Sequence, residues 1–411
     1  MLRFVLLALM LFTSVQGAVV SKDSAPGTVA KSSPAVTSKN PTQAAISKGS
    51  TPAAMFKNNA PGQAKGSTPN GNGVETRTLD QIYKAAQAEK GSLRIGWGGD
   101  IQVSGDRIVK AFETRFPGIK LDLKVDVSKY IDSRVDLAIA NTKGADTAYD
   151  VVMLQTLHDY PRWKQGGHLM HYKVPTWNDI HPEFVDPDGA YTGYAIFSLG
   201  DIAYKTSAFP DNSTVPVHIL DFLKPEYQGK IGLTYPNDDD SILYLFTRII
   251  GKYGWDFFNK LVANQKPQWY RGTSTPALVM TSGNAATSSS GPTVSFASSS
   301  VYVPTVGKML TQDVYMAWPQ TGAIFSSTKM PETAKLFMSW LLSDEWQTIV
   351  TGSKFATRKS FDKAKIMEQE NVDPFGFMDF MADRETVEGW RFQFESLIGL
   401  PQGPDPLSLK F

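Results

Sequence analysis

The chain has 411 residues, of which 42% are hydrophobic and 11% aromatic, with no cysteine and with 41 basic against 40 acidic side chains. That length favours two domain-sized units, and that composition can bury hydrophobic cores. The absence of cysteine excludes a disulfide scaffold, a thiolate metal site and a cysteine nucleophile. The near-zero net charge argues against general binding of nucleic acid.

The first seventeen residues have the pattern of a secretory signal peptide. Arg3 supplies a positive start, residues 4–12 form an unbroken apolar run, and residues 15–17 offer small or modest side chains for cleavage. The apolar run has about half of the ~20 residues that a membrane-spanning helix needs. We therefore expect residues 1–17 to be removed and the mature chain to be secreted, or periplasmic if the cell is bacterial.

Residues 18–75 form a predicted disordered linker. Within residues 21–73, Ser, Thr, Pro, Gly and Ala occupy 34 of 53 positions, and six lysines recur every eight or nine residues against one acid, Asp23. Such a segment cannot bury enough apolar surface to offset the entropy lost on ordering. We interpret it as a repeat-like spacer and leave its O-glycosylation open. Residues 74–411 then carry a net charge of −5, which disfavours a nucleic acid partner.

From about Thr76 the pattern becomes one of alternating strands and helices. In chain order it predicts a strand at 93–97, a helix that ends before Pro117, a strand at 119–127, a helix around 131–139 and a buried strand at 150–154. This order predicts a parallel sheet covered by helices.

The same alternation returns later in the chain. The sequence predicts a strand at 230–235, a helix at 241–250, a break at 251–254, a strand at 314–318, a helix opened by Pro331, and helical residues at 376–397. Two α/β units in a chain of this length predict two lobes with a cleft between them.

Four segments resemble bacterial extracellular solute-binding proteins of the type II periplasmic-binding-protein-like family, which serve ABC importers. The segments are residues 96–123, 149–152, 216–236 and 318–347, and the last two are the most specific. The third reads PVHILDFLKPEYQGKIGLTYP, and the fourth contains AKLFMSWLLSDEWQ. The resemblance covers essentially residues 92–360, and the branch of ferric, phosphonate, polyamine and thiamine binders is the most similar one.

The resemblance implies an α/β fold of two flavodoxin-like lobes, joined by two hinge crossings, that close on a ligand in a central cleft. Lobe 1 is then expected at residues 76–203 plus 320–411, and lobe 2 at residues 204–319. The first crossing is expected through residues 201–204 and the return through residues 318–322. Hinge closure around a ligand is a common transition of this architecture.

Candidate ligand-binding residues follow from a general rule for open parallel sheets, in which ligands lie beyond the carboxyl ends of strands. The candidates are Trp97, Gly99, Asp100, Ser128, Thr156, Tyr204, Tyr235, Asp238, Ser241, Thr273, Ser274, Trp318 and Thr321. Hydroxyls and helix starts among them suit an anion, whereas the aspartates and aromatic side chains suit a cation or an amine. The same hydroxyls and acids are also ordinary helix caps, so the charge of the ligand stays open.

The sequence offers little support for a metal site. Four of the five histidines fall within residues 158–181, but flanking glycines and Pro175 favour a loop, and no motif places a carboxylate beside them. Ferric-binding relatives hold iron through adjacent tyrosines, whereas this chain has serines in the corresponding residues 283–296. An iron complex held through a chelate stays open, and we predict no bound metal and no cofactor.

We predict a secreted, non-enzymatic solute-binding protein that captures a small polar molecule or ion between its lobes. We expect a monomer, with a membrane transporter as a partner where one is present and no nucleic acid partner. Motifs of hydrolases, metalloproteases and nucleotide-binding loops are absent from the sequence. Two alternatives stay open: an enzyme that uses Asp100 with one of residues 238–240, and a cell-wall or surface protein with a vestigial cleft.

Overall fold

The computed structural model describes residues 73–281, 291–298, 306–309, 313–350, 355–370 and 372–409. These residues belong to one compact unit, Gly66–Phe411. The predicted signal peptide and the predicted linker up to residue 72 lie outside the described residues, as does most of the segment compared with the iron-binding tyrosines. None of the described helices is long and apolar enough to cross a membrane.

Strands and helices alternate along most of the described chain. The strands are β1 (Leu93–Gly98), β2 (Leu121–Asp126), β3 (Val151–Leu154), β4 (Thr192–Leu199), β5 (Asp201–Tyr204), β6 (Gly232–Thr234), β7 (Gln268–Tyr270), β8 (Val294–Ser295), β9 (Val306–Met309), β10 (Tyr315–Ile324) and β11 (Val372–Asp373). The helices are α1 (Leu79–Ala86), α2 (Gln102–Arg115), α3 (Ser128–Thr142), α4 (Asp159–Gln165), α5 (Asp240–Lys260), α6 (Thr275–Thr281), α7 (Pro331–Leu341), α8 (Asp344–Val350), α9 (Gly376–Ala382) and α10 (Arg384–Ile398).

A six-stranded sheet has the order β11-β10-β3-β1-β2, and β4 also pairs with β10. Strand β1 is parallel to both β2 and β3, which confirms the parallel arrangement predicted for the first three strands. Strand β10 runs antiparallel to β3 and β4, so the complete sheet is mixed.

Helices cover both faces of this sheet, and β3 shows why its sequence is a continuous apolar run. Val151 and Met153 belong to a core formed with α1, α2 and α7. Val152 and Leu154 belong to a second core that includes side chains of α3 and α4. Because successive side chains of a strand point to opposite faces, a strand buried on both faces must be apolar throughout.

Helix boundaries follow local chemistry that the sequence already displays. Pro331 occupies the first turn of α7, and Asp239 caps α5 by accepting hydrogen bonds from the backbone N–H groups of Ser241 and Ile242. The predicted break after residue 250 corresponds to Gly254, which has non-helical angles (φ 74°, ψ 170°) inside α5. The helical geometry therefore resumes after a single kinked residue.

The chain crosses from the six-stranded sheet to a three-stranded sheet (β8-β5-β9) at Gly200, between β4 and β5. It is back in the six-stranded sheet at Tyr315, where β10 begins. Gly200 has a φ of +120°, and a Cβ there would lie 2.8 Å from the carbonyl oxygen of Val314, so the two crossings lie against each other. Residues 318–322, through which the resemblance expects the return to run, lie within β10.

The C-terminal helices contact residues that the resemblance assigned to lobe 2. Trp390 of α10 stacks on Trp255 of α5 with ring centroids 5.5 Å apart, while Phe377 of α9 meets Trp318 of β10 at 5.3 Å. The resemblance placed residues 320–411 with lobe 1 alone. The aromatic contacts between α10 and α5 could not be predicted from either helix by itself.

Because α10 packs on α5, replacing each of two phenylalanines of α10 with alanine should have very different effects on the stability of the protein. Phe394 is fully buried, with its ring 5.0 Å from that of Phe258, whereas Phe392 is 67% exposed. We expect Phe394→Ala to lower the free energy of unfolding by about 3–5 kcal/mol and Phe392→Ala to change it by less than about 0.5 kcal/mol. Urea unfolding of the two variants measures this, and equal losses would contradict the observed packing.

Candidate functional site

The turns that follow β1, β2 and β3 meet the loops that precede α5 and α6. Asp100 follows β1, Lys129 lies in the first turn of α3 after β2, and Gln155 follows β3. These three side chains contact Asp238, Asp239 and the Thr273–Ser274 pair. Carboxyl ends of parallel strands share one edge of a sheet, which is why turns distant in sequence come together.

Asp100 makes the central contact across this site. Its Oδ2 accepts a hydrogen bond from the backbone N–H of Ser274 at 2.8 Å, and its Oδ1 accepts one from the Ser274 hydroxyl at 3.0 Å. Burial raises the pKa of the Asp100 carboxyl above its ordinary value, although the bonds from Ser274 and Thr273 act in the opposite direction. The carboxyl group of Asp100, in the turn after β1, is thus hydrogen-bonded to the residue just before α6.

An ion-pair network lies beside Asp100. Lys129 Nζ donates to Asp238 Oδ1 at 2.6 Å, and Arg271 Nε donates to Asp238 Oδ2 at 2.9 Å. Arg271 also donates to the hydroxyl of Tyr130 at 2.8 Å. Burial acts to raise the pKa of Asp238, but the hydrogen bond from Arg271 and the charge of Lys129 outweigh it and hold that pKa below its ordinary value. The α3 side and the α5 side are therefore joined by charge as well as by hydrogen bonds.

Asp239 connects the helix cap of α5 to the turn after β3. Its Oδ1 accepts from the N–H of Ser241 at 2.9 Å and from that of Ile242 at 3.1 Å, while its Oδ2 accepts from Gln155 Nε2 at 3.0 Å. Burial raises the pKa of Asp239. Like Asp100, Asp239 accepts none of these hydrogen bonds from a basic side chain.

Two adjoining cavities lie between these turns. The larger has a volume of about 50 Å³ and is lined by Trp97, Gly98, Gly99, Asp100, Ile101, Ser104, Gln155, Phe197, Ser198, Leu199, Ser241, Thr273, Ser274, Trp318 and Gln320. The smaller, of about 30 Å³, is lined by Gly99, Asp100, Val127, Ser128, Gln155, Asp239, Gly272 and Thr273. The larger cavity has room for only a few water-sized groups.

The structure brings eight of the thirteen candidate residues to these cavities. They are Trp97, Gly99, Asp100, Ser128, Ser241, Thr273, Ser274 and Trp318. The rule that ligands lie beyond strand ends selected most of them. The rule brings these residues to one place because it depends only on the order of strands and turns along the chain.

Five candidates lie elsewhere, each for a visible reason. Tyr204 packs edge-on against Phe209, and Tyr235 stacks on Trp269, so both rings belong to the core. Thr156 is buried in the turn before α4, and Thr321 donates its hydroxyl to the carbonyl of Pro319 within β10. Asp238 forms the ion pairs beside the site and lines neither cavity.

Sequence reasoning missed one wall of the larger cavity. Phe197, Ser198 and Leu199 come from β4, and Gln320 comes from β10. These residues lie within strands rather than at strand ends, and β4 pairs with β10 across more than a hundred residues of chain. No local pattern in the sequence of β4, which reads TGYAIFSL, marks these residues as part of a site.

The lining of the cavities is acidic and aromatic. It contains the carboxylates of Asp100 and Asp239 and the rings of Trp97, Phe197 and Trp318, and none of the described lining residues is Lys, Arg or His. Within the described part of the chain, no group of three or more His, Asp or Glu side chains could hold a metal ion. The arrangement suits a small group of positive charge more than an anion.

The raised pKa of Asp100 predicts a pH-dependent stability difference for Asp100→Asn. The folded chain holds a proton on Asp100 at pH values where the unfolded chain has released it, so stability falls as pH rises through that range. Asparagine cannot ionise and keeps the acceptor oxygen. We expect the variant and the wild type to have similar free energies of unfolding near pH 4, with the variant increasingly favoured as the pH rises above it.

Urea unfolding at a series of pH values measures this difference. The comparison between the two proteins matters because other groups also titrate: burial and the neighbouring Asp159 raise the pKa of Asp132 to about 8. Asp122→Asn, at an exposed position of β2, is the matched control and should leave the pH profile unchanged. A constant offset between Asp100→Asn and wild type across the range would contradict the assignment.

Comparison with known proteins gives a family match over more than half of the chain. The family model described as bacterial extracellular solute-binding protein matches residues 146–383. No curated protein sequence matches the chain.

Solved structures share the fold at low sequence identity. The substrate-binding protein of an ABC transporter from Agrobacterium tumefaciens is 12% identical with a TM-score of 0.61, and the match covers 76% of this chain and 96% of that one. AfuA from Actinobacillus pleuropneumoniae, with fructose-6-phosphate bound, is 19% identical with a TM-score of 0.52, covering 76% and 100%. Iron-bound HitA from Pseudomonas aeruginosa is 17% identical with a TM-score of 0.50, covering 75% and 100%.

Proposed function

The chain belongs to the family of bacterial extracellular solute-binding proteins, and from this membership we propose that its cleft captures a small organic cation. Membership confirms the predicted family, the extracellular setting and a role in binding rather than catalysis. The mixed α/β fold is that of periplasmic binding proteins. The identity of the solute is the part that we propose.

The charge of the cavity lining carries the proposal. Asp100 and Asp239 bring two partly buried carboxylates to the cavities, and the described lining supplies no basic side chain to balance them. A bound cation would restore neutrality and favour ionisation of Asp100, whose pKa burial raises. An anion would meet two carboxylates in a poorly hydrated space, which costs free energy.

The aromatic part of the lining favours an organic cation over a bare metal ion. Trp97, Phe197 and Trp318 offer ring surfaces, and such rings attract alkylammonium groups while they exclude water. HitA was solved with iron and AfuA with fructose-6-phosphate. In this chain the described lining has no tyrosine or histidine for iron and no lysine or arginine for a phosphate.

Capture requires that the cleft opens and closes. We propose that the elements of the six-stranded sheet and those around the three-stranded sheet are the two lobes, which move about the adjoining crossings at Gly200 and Val314. The Agrobacterium relative is the substrate-binding protein of an ABC transporter. We propose the corresponding role here, with delivery of the captured cation to a membrane importer.

Stabilisation by ligands tests the proposed class directly. We expect an alkylammonium salt such as choline chloride or spermidine hydrochloride to raise the midpoint of thermal unfolding, because a ligand at a hundred times its Kd adds about 2.7 kcal/mol. Sodium phosphate, fructose-6-phosphate and ferric citrate should have little effect. Asp100→Asn should lose the response, and Asp122→Asn, with the same change of net charge, should keep it.

Stabilisation by an anion or by ferric citrate would leave solute binding intact and reject the cationic class. A response that Asp100→Asn retains would place the ligand away from the cavities. No response to any compound would count against capture itself.

The absence of native cysteine allows an independent measurement of the charge in the cavity. A thiol introduced by Ser198→Cys can react with a positively charged trimethylammonium methanethiosulfonate or with the negatively charged sulfonate reagent. We expect the ratio of the first rate to the second to be about tenfold higher at residue 198 than at the exposed position Ser92→Cys. Adding Asp100→Asn should reduce this preference. Equal rates for the two reagents at residue 198 would contradict an acidic cavity.

A further inference from the structure

The C-terminal strap, residues 399–409, leaves α10 on the side of α5. Gly399, directly after α10, accepts a hydrogen bond through its carbonyl oxygen from Asn237 Nδ2 at 2.9 Å. Asn237 belongs to the loop before α5, next to the aspartates of the site. The strap therefore begins at one rim of the cleft.

The far end of the strap lies against the site. Pro406 is buried, and a Cβ on Gly272 would come within 2.7 Å of Pro406 Cγ and 2.8 Å of Asp100 Oδ2. Gly272 also has a φ of +82° and lines the smaller cavity. The proline ring, the glycine backbone and the Asp100 carboxylate thus converge at a point where only a residue without a side chain fits.

Hydrogen bonds within the strap shape the turn that contains Pro406. Asp405 Oδ1 accepts from the N–H of Leu407 at 2.8 Å, and the Ser408 hydroxyl donates to the Asp405 carbonyl at 2.7 Å. Leu407 packs against the core formed with α1, α2 and α7. The strap thus reaches from the α5 side to the opposite side of the site.

The middle of the strap has few contacts with the rest of the chain. Leu400, Gln402, Gly403 and Pro404 are exposed. A segment held at both ends but exposed between them opens at a lower free energy than the core does. Its far end can therefore lift while α10 stays packed.

We propose that the C-terminal strap is a lid of the ligand cleft, with Pro406 closing the entrance beside Asp100 and Gly272. The proposal rests on the proposed function, since it concerns access to the same cavities. A solute enters when the strap lifts from Gly272, and the return of Pro406 covers the cavity and excludes water. The lid belongs to the chain itself, so access is controlled independently of the hinge crossings.

Accessibility of a thiol in the cavity tests the lid. In the full chain with Ser198→Cys, methyl methanethiosulfonate, a neutral reagent, should react slowly compared with its reaction at Ser92→Cys. Adding Pro406→Ala should increase the rate at residue 198 at least about fivefold, and a chain that ends at residue 399 should show a larger increase. Pro404→Ala, at an exposed proline of the same strap, is the matched control and should leave the rate unchanged.

The lid is rejected if the thiol at residue 198 reacts as fast as an exposed thiol in the full chain, or if neither Pro406→Ala nor the shortened chain reacts faster. It is also rejected if Pro404→Ala has the same effect as Pro406→Ala. Thermal unfolding of each variant shows whether it is folded, and Pro406→Ala alone decides if the shortened chain is not.

The neutral reagent separates this test from the proposed function. If the strap does not slow the reaction of the thiol at residue 198, the lid is rejected, but the thermal stabilisation by alkylammonium salts is still expected. Loss of that response in the full chain, with gating still present, would reject the ligand class and keep the lid.

Discussion

The carboxylate of Asp100 is the group on which the site depends. It lies beyond the end of β1, yet both of its oxygens accept hydrogen bonds from Ser274 at the start of α6. This partly buried carboxyl group therefore joins the two sides of the cleft. Because removing a carboxylate from water without a basic partner is costly, the cation that we propose as the ligand would favour the ionised form of Asp100.

The contacts around Asp100 close the cleft with polar groups. Lys129 pairs with Asp238, and Gln155 pairs with Asp239, at the same edge of the sheet. Partly exposed ion pairs and single hydrogen bonds each contribute little net free energy, because water offers the separated groups similar partners. Contacts of this kind are compatible with the opening and closing that we propose for capture and release. The strap adds an apolar contact through Pro406 at the place where the polar contacts end.

Several features of this architecture were predictable from local sequence. The three parallel strands, the helix opened by Pro331 and the kink at Gly254 follow from periodicity, proline and glycine, which act over a few residues. The turns of the site were predictable too, since strand order determines which turns share an edge. The resemblance of residues 216–236 and 318–347 to solute-binding proteins is confirmed by the family match.

The sequence by itself therefore determined the family, the α/β class and most of the strand-end residues at the cavities. Only the tertiary structure decided which polar groups meet: that Ser274 binds Asp100, that Asp238 pairs with Lys129 outside the cavities, and that β4 supplies Phe197 as a wall. It also decided that α10 packs on α5 and that Pro406 returns to Gly272. The physical reason is range: periodicity and capping act between neighbours in the chain, whereas these contacts join residues brought together only when the sheets and helices have packed.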